Sequence, residues 1–321
     1  MRAAVVKEIG RLPEHDEARD PVRGEGEALV EVLVVPLNPI DVNVAAGRFY
    51  GGSPPTPYVA GSEAVGVVRE SDAHAPGTLV WAHAGTKRNG ALAELMAVPE
   101  DLLVPLLEGT DPALAGALGV AGLAGWLPVV YRAPVREGET VLVLGATGTV
   151  GLVALQGARL QGARRVVAAG RRPEALERAR RLGADAVVSL EEDDLAGAFR
   201  KACGGDGPNY VVDPVWGAPV AAAARAAARG ARIVNIGQSA GAEAPLASAD
   251  VRGKQLEILG YSNFGTPREV MHREYLRLLE HAAAGEVQVD VARFPFERLG
   301  EAWQAQAEGA GAKVVVELSA A

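Results

Sequence analysis

Thr140 to Gly151 reads TVLVLGATGTVG, and no other stretch limits the possible folds of this chain so sharply. Val141 to Leu144 is an unbroken apolar run, as a parallel strand needs when both its faces are covered, and it stops at Gly145 in a turn of small residues. The spacing predicts a helix from about Thr149. Gly145, Gly148 and Gly151 then serve a tight turn that brings backbone amides, and the positive end of that helix, close to a pyrophosphate. A strict G-x-G-x-x-G would carry glycine where Ala146 stands, so by itself the turn also suits a strand-turn-helix that uses its glycines for packing. On the binding reading, Gly145, Ala146, Thr147, Gly148, Thr149 and Val150 face the phosphates.

The end of the next strand selects the dinucleotide. Arg165 to Ala169 reads as that strand, and it runs into Gly170-Arg171-Arg172, where an NAD-binding chain would place an acid on the ribose hydroxyls. A carboxylate there repels a 2′-phosphate, whereas two guanidiniums hold one with charge-assisted bonds. The expected cofactor is NADPH, with Gly170, Arg171 and Arg172 around its ribose; the alternative is a pair of solvated arginines ahead of a helix. That helix opens at Pro173, sets Ala175, Leu176, Ala179 and Leu182 on one face, and can end at Gly183.

Strand patterns at Val141–Leu144, Arg165–Ala169, Ala186–Leu190, Tyr210–Val212, Arg232–Ile236 and Leu256–Leu259 alternate with helical segments, which predicts a doubly wound parallel sheet of the Rossmann type. Such a sheet binds ligands at the carboxyl ends of its strands, which adds Asp213, Val215, Gly237 and Gln238 to the cofactor contacts. Before it, Met1 to about Leu106 reads as a mostly β domain, within a first domain of residues 1–118, with strand character at Ala3–Val6, Leu29–Val35, Ala64–Val68 and Leu79–Ala82. A helix from Ala115 to Arg132 is expected to bridge into the dinucleotide domain, residues 119–261. An amphipathic helix at Arg268–Ala284 and a strand at Val314–Leu318 are expected to return, within 262–321, to the first domain.

Composition narrows the class. The chain has 321 residues, 49% apolar, which suits two folded domains. A net charge of −8, with no cluster of positive charge beyond short arginine-rich helix faces, argues against nucleic acid and anionic membrane as partners. Pro112–Tyr131 and Thr140–Ala158 are long and uncharged, but glycines interrupt the first and the phosphate turn the second. The N-terminus lacks an apolar core long enough for a signal peptide. A single cysteine, Cys203, excludes a disulfide within the chain and leaves a metal no thiolate pair, so the expected compartment is the cytosol. His15, His74 and His83 show no ligand spacing.

The segments NPIDVNVAAGRF from Asn38, PYVAGSEAVGVV from Pro57, VLVLGATGTVG from Val141, RRLGADAVV from Arg180, VVDPVWG from Val211, NIGQSAG from Asn235, GKQLEILGYS from Gly253 and FPFERLGEAW from Phe294 occur in this order. Together they make the chain resemble the zinc-free quinone oxidoreductase branch of the medium-chain dehydrogenase/reductase superfamily from end to end. The resemblance implies an N-terminal GroES-like domain, completed by the C-terminal segment, with the cofactor between it and a Rossmann domain. It places Asn38 and Asp41 near the nicotinamide, Asn38 to donate to the acceptor oxygen and Asp41 to orient its loop, while local chemistry alone reads both equally well as turn-capping residues. Tyr50 is a further catalytic candidate, as proton donor or relay, or else an exposed loop aromatic. Glu63 is expected to pin its turn.

Departures from the family carry weight too. Zinc alcohol dehydrogenases place a cysteine and a Gly-His-Glu where this chain has Asp41 and Gly61-Ser62-Glu63, so the expectation is no metal and no alcohol oxidation. Phe49, Asn43 and Ala124 stand where relatives carry Tyr, Tyr and Thr. The expected reaction is hydride transfer to a quinone or to an α,β-unsaturated carbonyl such as an enoyl or 2-alkenal substrate, with a non-catalytic NADPH-binding redox sensor as the competing class. The superfamily commonly dimerises through the sixth Rossmann strand. Here that strand is Gln255-Leu256-Glu257-Ile258-Leu259-Gly260-Tyr261, an apolar edge without proline or lysine, and a homodimer is expected unless the helix from Arg268 covers it.

Overall fold

The computed structural model describes residues 1–83, 90–309 and 311–318. The chain divides into two compact units: Met1–Val120 together with the chain from Val289 onward, and Ala121–Gln288. In the first unit, β1 (Arg2–Val6) lies between β2 (Glu14–Glu17) and β4 (Tyr58–Val59). A larger sheet is built on β3 (Glu27–Pro36), which pairs antiparallel with β5 (Glu63–Glu70) and β7 (Leu95–Pro99), while β6 (Leu79–His83) links β5 to β8 (Leu103–Pro105). Period-two alternation along β3 buries Ala28, Val30, Val32 and Val34, the pattern of a strand with one face on the core. Two short helices, α1 (Pro39–Ala45) and α2 (Pro112–Leu118), complete this part.

The expected helix Ala115–Arg132 is not continuous. It begins at Pro112, breaks at Gly119, resumes as α3 (Val120–Leu127) and finishes as a π-helical turn at Pro128–Arg132. The reason is local: a Cβ on Gly119 would sit 2.1 Å from Glu63 Oε2 and 2.5 Å from Trp81 Nε1, so two polar groups occupy the space a helical side chain needs. Among the described residues no single helix is long and apolar enough to cross a membrane.

In the second unit, β9 (Thr140–Val143), β10 (Arg165–Gly170), β11 (Ala186–Ser189), β12 (Tyr210–Asp213), β13 (Arg232–Asn235) and β14 (Glu257–Gly260) form one parallel sheet in the order β11-β10-β9-β12-β13-β14. The order reverses between β9 and β12, which is where a doubly wound sheet opens its crevice. The connections carry α4 (Thr149–Leu160), α5 (Pro173–Arg181), α6 (Leu195–Cys203), α7 (Gly217–Ala226) and α8 (Ser248–Lys254). Both faces of the sheet are buried: Val141 and Val143 pack with Leu155 and Tyr210, Leu142 and Leu144 with Phe199 and Val220.

α9 (Arg268–Ala283) belongs to this second unit, which corrects the expected return at residue 262. Trp126 Nε1 donates to Glu274 Oε2 on α9 at 3.2 Å, and the chain stays in the unit until Gln156 on α4 exchanges two hydrogen bonds with the Gln288 backbone, at 2.8 and 3.0 Å. The return therefore starts at Val289. It supplies β15 (Val291–Pro295), α10 (Leu299–Glu308) and β16 (Lys313–Glu317), and β16 pairs with β3 in the large sheet.

Candidate functional site

In the second unit the turn after β9 is shaped by its glycines. Gly145 adopts φ +59°, and a Cβ there would lie 2.8 Å from Val215 Cγ1; a Cβ on Gly151 would lie 2.5 Å from Gly145 O. At Gly148, by contrast, the nearest atom to an added Cβ is 4.0 Å away, so the space over the start of α4 is open. Gly148 caps α4 without a side chain, and the amides of Thr149, Val150 and Gly151 have no acceptor inside the helix. Close packing below and open space above a free helix N-terminus is a cradle that fits a pyrophosphate.

Gly170 ends β10 beneath this turn, where a Cβ would be 2.5 Å from Thr147 Cγ2. Arg171 and Arg172 follow it, both exposed, and among the described residues neither guanidinium has a hydrogen-bond or ion-pair partner. Asp213, at the end of β12, is fully buried with both oxygens engaged. Oδ1 accepts from the amides of Val215 (3.1 Å) and Trp216 (2.8 Å), and Oδ2 from Asn235 Nδ2 at 3.0 Å. Asp213 thus holds the Pro214–Trp216 loop against Gly145 instead of facing a ligand, and burial pushes its carboxyl up. Gly237 is needed because a Cβ would come 2.6 Å from Pro214 O, while Gln238 is exposed at the end of β13. Sequence reasoning missed Trp216, whose φ of 57° and ψ of −158° fall in a region normally left to glycine.

The first unit carries a different cluster. Leu37 leaves β3 hydrogen-bonded to Val314 O, and Asn38 opens α1. The backbone amide of Asn38 donates to Asp41 Oδ2 at 2.7 Å. Its side-chain Nδ2 donates to Glu63 Oε1 at 2.7 Å and to Pro36 O at 3.4 Å, and its Oδ1 accepts from Lys313 Nζ at 2.5 Å. Lys313 Nζ also donates to Leu37 O at 2.7 Å. Glu63 Oε2 accepts from Trp81 Nε1 (2.7 Å) and from the Val120 amide (2.8 Å), so Glu63 pins the start of α3 as well as Asn38.

All of these side chains are buried, and desolvation governs their titration. It pushes the carboxyls of Asp41 and Glu63 up, against the pull of Lys313, and pushes Lys313 down to about 8, against the two carboxylates. Burial, with Asp41 beside it, pushes Tyr58 up to about 12.

One expectation changes at this cluster. The side chain of Asn38 has both its hydrogens directed into the protein, so it does not offer one to an acceptor oxygen. Tyr50 is 85% exposed and rests on Phe49, with ring centroids 4.5 Å apart, which agrees with the exposed loop aromatic of the two readings given for it; Asn38 and Asp41 are joined by a hydrogen bond. Lys313 was not foreseen. It stands 275 positions from Asn38, and its sequence signal is a cation at the head of the run Val314–Val316. The donor set does not fit a tetrahedral zinc: Asp41, Ser62 and Glu63 offer neither thiolate nor imidazole, and both Glu63 oxygens are already engaged. Among the described residues no group of three or more His, Cys, Asp or Glu is placed to hold a metal.

Two family models match the chain: an alcohol dehydrogenase GroES-like domain over residues 24–108 and a zinc-binding dehydrogenase domain over residues 149–281. Quinone oxidoreductase of Homo sapiens is 25% identical over 320 residues, covering 97% of this chain and 95% of that protein. Quinone oxidoreductase-like protein 2 of Rattus norvegicus is 30% identical over 261 residues, covering 81% of this chain and 74% of that one. The solved quinone oxidoreductase of Thermus thermophilus, described with its NADPH complex, superposes with a TM-score of 0.82 at 32% identity, covering 99% of this chain and 100% of its own.

Proposed function

The chain belongs to the quinone oxidoreductase branch of the medium-chain dehydrogenase/reductase superfamily, and from that premise we propose that it is a zinc-independent oxidoreductase that uses NADPH to reduce a quinone. The observation that carries the reading is the phosphate cradle at Gly145–Val150 followed, at the end of β10, by two exposed and unengaged arginines. NADPH, when bound, supplies a hydride from C4 of its nicotinamide. The amides at the start of α4 hold its pyrophosphate, and Arg171 and Arg172 hold its 2′-phosphate with charge-assisted bonds. Asp213 keeps the Pro214–Trp216 loop packed on that turn. Asn38, Asp41, Glu63 and Lys313 give the α1 loop a rigid polar base.

Among the described residues no thiolate or imidazole stands at Asp41 and Ser62 and no group is placed to hold a metal, which supports a reaction that needs no Lewis acid. An acceptor already electron-poor by conjugation needs none. Quinones meet that condition, and so do enoyl and 2-alkenal substrates. The inward-turned Asn38 favours acceptors that need little hydrogen-bond activation, of which quinones are the better example. Stopped-flow oxidation of NADPH against a panel of quinones and 2-alkenals, with the protein dialysed against a chelator, tests the reading. Turnover with quinones, unchanged by added zinc, is expected; tight NADPH binding with no turnover across the panel would establish the sensor reading instead.

The assembly we propose is a cytoplasmic homodimer through β14. That strand ends the sheet with Ile258 37% exposed, and Arg132 Nε donates to Gly260 O, which brings exposed Tyr131 close to the same edge. A two-fold partner satisfies the free backbone groups of this edge and covers those side chains.

A further inference from the structure

Gly170 is anchored from two sides at the end of β10. The amide of Ala146, in the turn after β9, donates to Ala169 O at 2.9 Å, and the amide of Leu190, just past β11, donates to Gly170 O at 2.8 Å. A Cβ on Gly170 would lie 2.5 Å from Thr147 Cγ2, 3.2 Å from Leu176 Cδ2 and 3.3 Å from Thr147 Oγ1. Leu176 can swing the end of a flexible side chain aside, but threonine is stiff about χ1 and presents both its branches to the same place. Exchanging the methyl for the hydroxyl leaves that place filled. Thr147 therefore occupies the room that any side chain at position 170 needs, at the strand end where a carboxylate takes the ribose hydroxyls of a dinucleotide without a 2′-phosphate. The Thr147 side chain is half-buried, and its hydroxyl has no hydrogen-bond partner among the described residues.

We propose that Thr147 is a selectivity residue of the cofactor site: its methyl group excludes an acid from position 170, and its hydroxyl donates to the 2′-phosphate held by Arg171 and Arg172. This rests on the NADPH reading above and deepens it. The two guanidiniums are exposed, so they attract a phosphate through solvent and with little direction, whereas a hydroxyl fixed between β9 and β10 is a donor at one set position. Both branches of the side chain act in one sense. NADH is denied the carboxylate it needs, and NADPH gains a donor. Removing the arginines alone then leaves a site that is poor for both cofactors, because Gly170 still cannot carry an acid.

The experiment titrates NADPH and NADH by fluorescence and follows the thermal unfolding of the same variants. Thr147→Val keeps both branches and removes the hydroxyl, so the preference for NADPH over NADH is expected to fall about tenfold, as for a lost hydrogen bond to a charged group. Gly170→Asp by itself is expected to gain no affinity for NADH. Thr147→Ser combined with Gly170→Asp takes the methyl away and is expected to bind NADH about tenfold more tightly than Gly170→Asp alone. Where Gly170→Asp fails to fold, Gly170→Ala reads the same exclusion: its unfolding midpoint is expected to fall by several degrees, and Thr147→Ser to restore part of that loss. An unchanged preference in Thr147→Val overturns the role of the hydroxyl. A Gly170→Asp variant that gains NADH, or a Gly170→Ala variant as stable as the wild type, overturns the exclusion. A wild type that binds neither cofactor, or both equally well, overturns the NADPH reading, and the coupling of positions 147 and 170 in unfolding then stands by itself.

Discussion

In the NADPH complex we propose, Arg171 and Arg172 would set selectivity, because backbone amides would hold the pyrophosphate and only side chains the 2′-phosphate. Replacing both by Ala is expected to weaken NADPH binding about tenfold or more, on the order of 1.4 kcal/mol, and to leave NADH binding nearly unchanged; equal loss by fluorescence titration of the two cofactors makes the pair structural. Lys313 gives a second outcome at this scale, in stability. The unfolded chain keeps this lysine protonated up to about pH 10.5, whereas the folded chain releases the proton near pH 8. Between those values the unfolded state holds more protons, so the unfolding free energy contributed by this group rises with pH. Urea titrations at pH 7, 8, 9 and 10 are expected to show that rise in the wild type and not in Lys313→Met.

Among elements, the break between α2 and α3 and the edge strand β14 carry the sharpest consequences. Gly119→Ala drives a methyl group into Glu63 and Trp81, which are themselves buried and hydrogen-bonded. The expected cost is at least ~3 kcal/mol, since the carboxylate loses its partners without reaching water, and a red-shifted Trp81 emission should accompany it. A smaller effect, near the ~1 kcal/mol of a point substitution in general, would mean that the helix can pass through Gly119 after all. At β14, Ile258→Pro removes a ladder donor and adds a ring to the exposed edge. If this strand is the contact, the variant sediments as a smaller species than the wild type while retaining its far-ultraviolet circular dichroism.

For the molecule as a whole, the question is how many chains it takes to close the parallel sheet. A single chain weighs 33.2 kDa, and sedimentation equilibrium at micromolar protein is expected to return twice that mass. A mass of one chain would mean that the edge tolerates solvent, through the charge of Glu257 and the short length of the strand.

The amino-acid sequence by itself determined the second unit almost completely. Its strands are buried on both faces, so their apolar runs are continuous. The turns between them need glycine at particular steps, and that is local chemistry written in neighbouring residues. The tight glycine turn at Gly145–Gly151 was legible for this reason. Short, edge-like strands such as β2 and β15 were not, because strands of this length take their conformation from the partner they pair with. Helix α9 reads as part of the wrong unit for a related reason: its apolar face shows that it packs, and only the bonds to Trp126 and the Gln156–Gln288 pair show against what. The polar cluster depends most of all on tertiary structure. Asn38 and Asp41 are conspicuous in the sequence, but whether an asparagine points toward a ligand or into the protein is decided by what else is buried beside it. Here that is a glutamate from β5 and a lysine from β16, brought in by strand pairing across almost the full length of the chain.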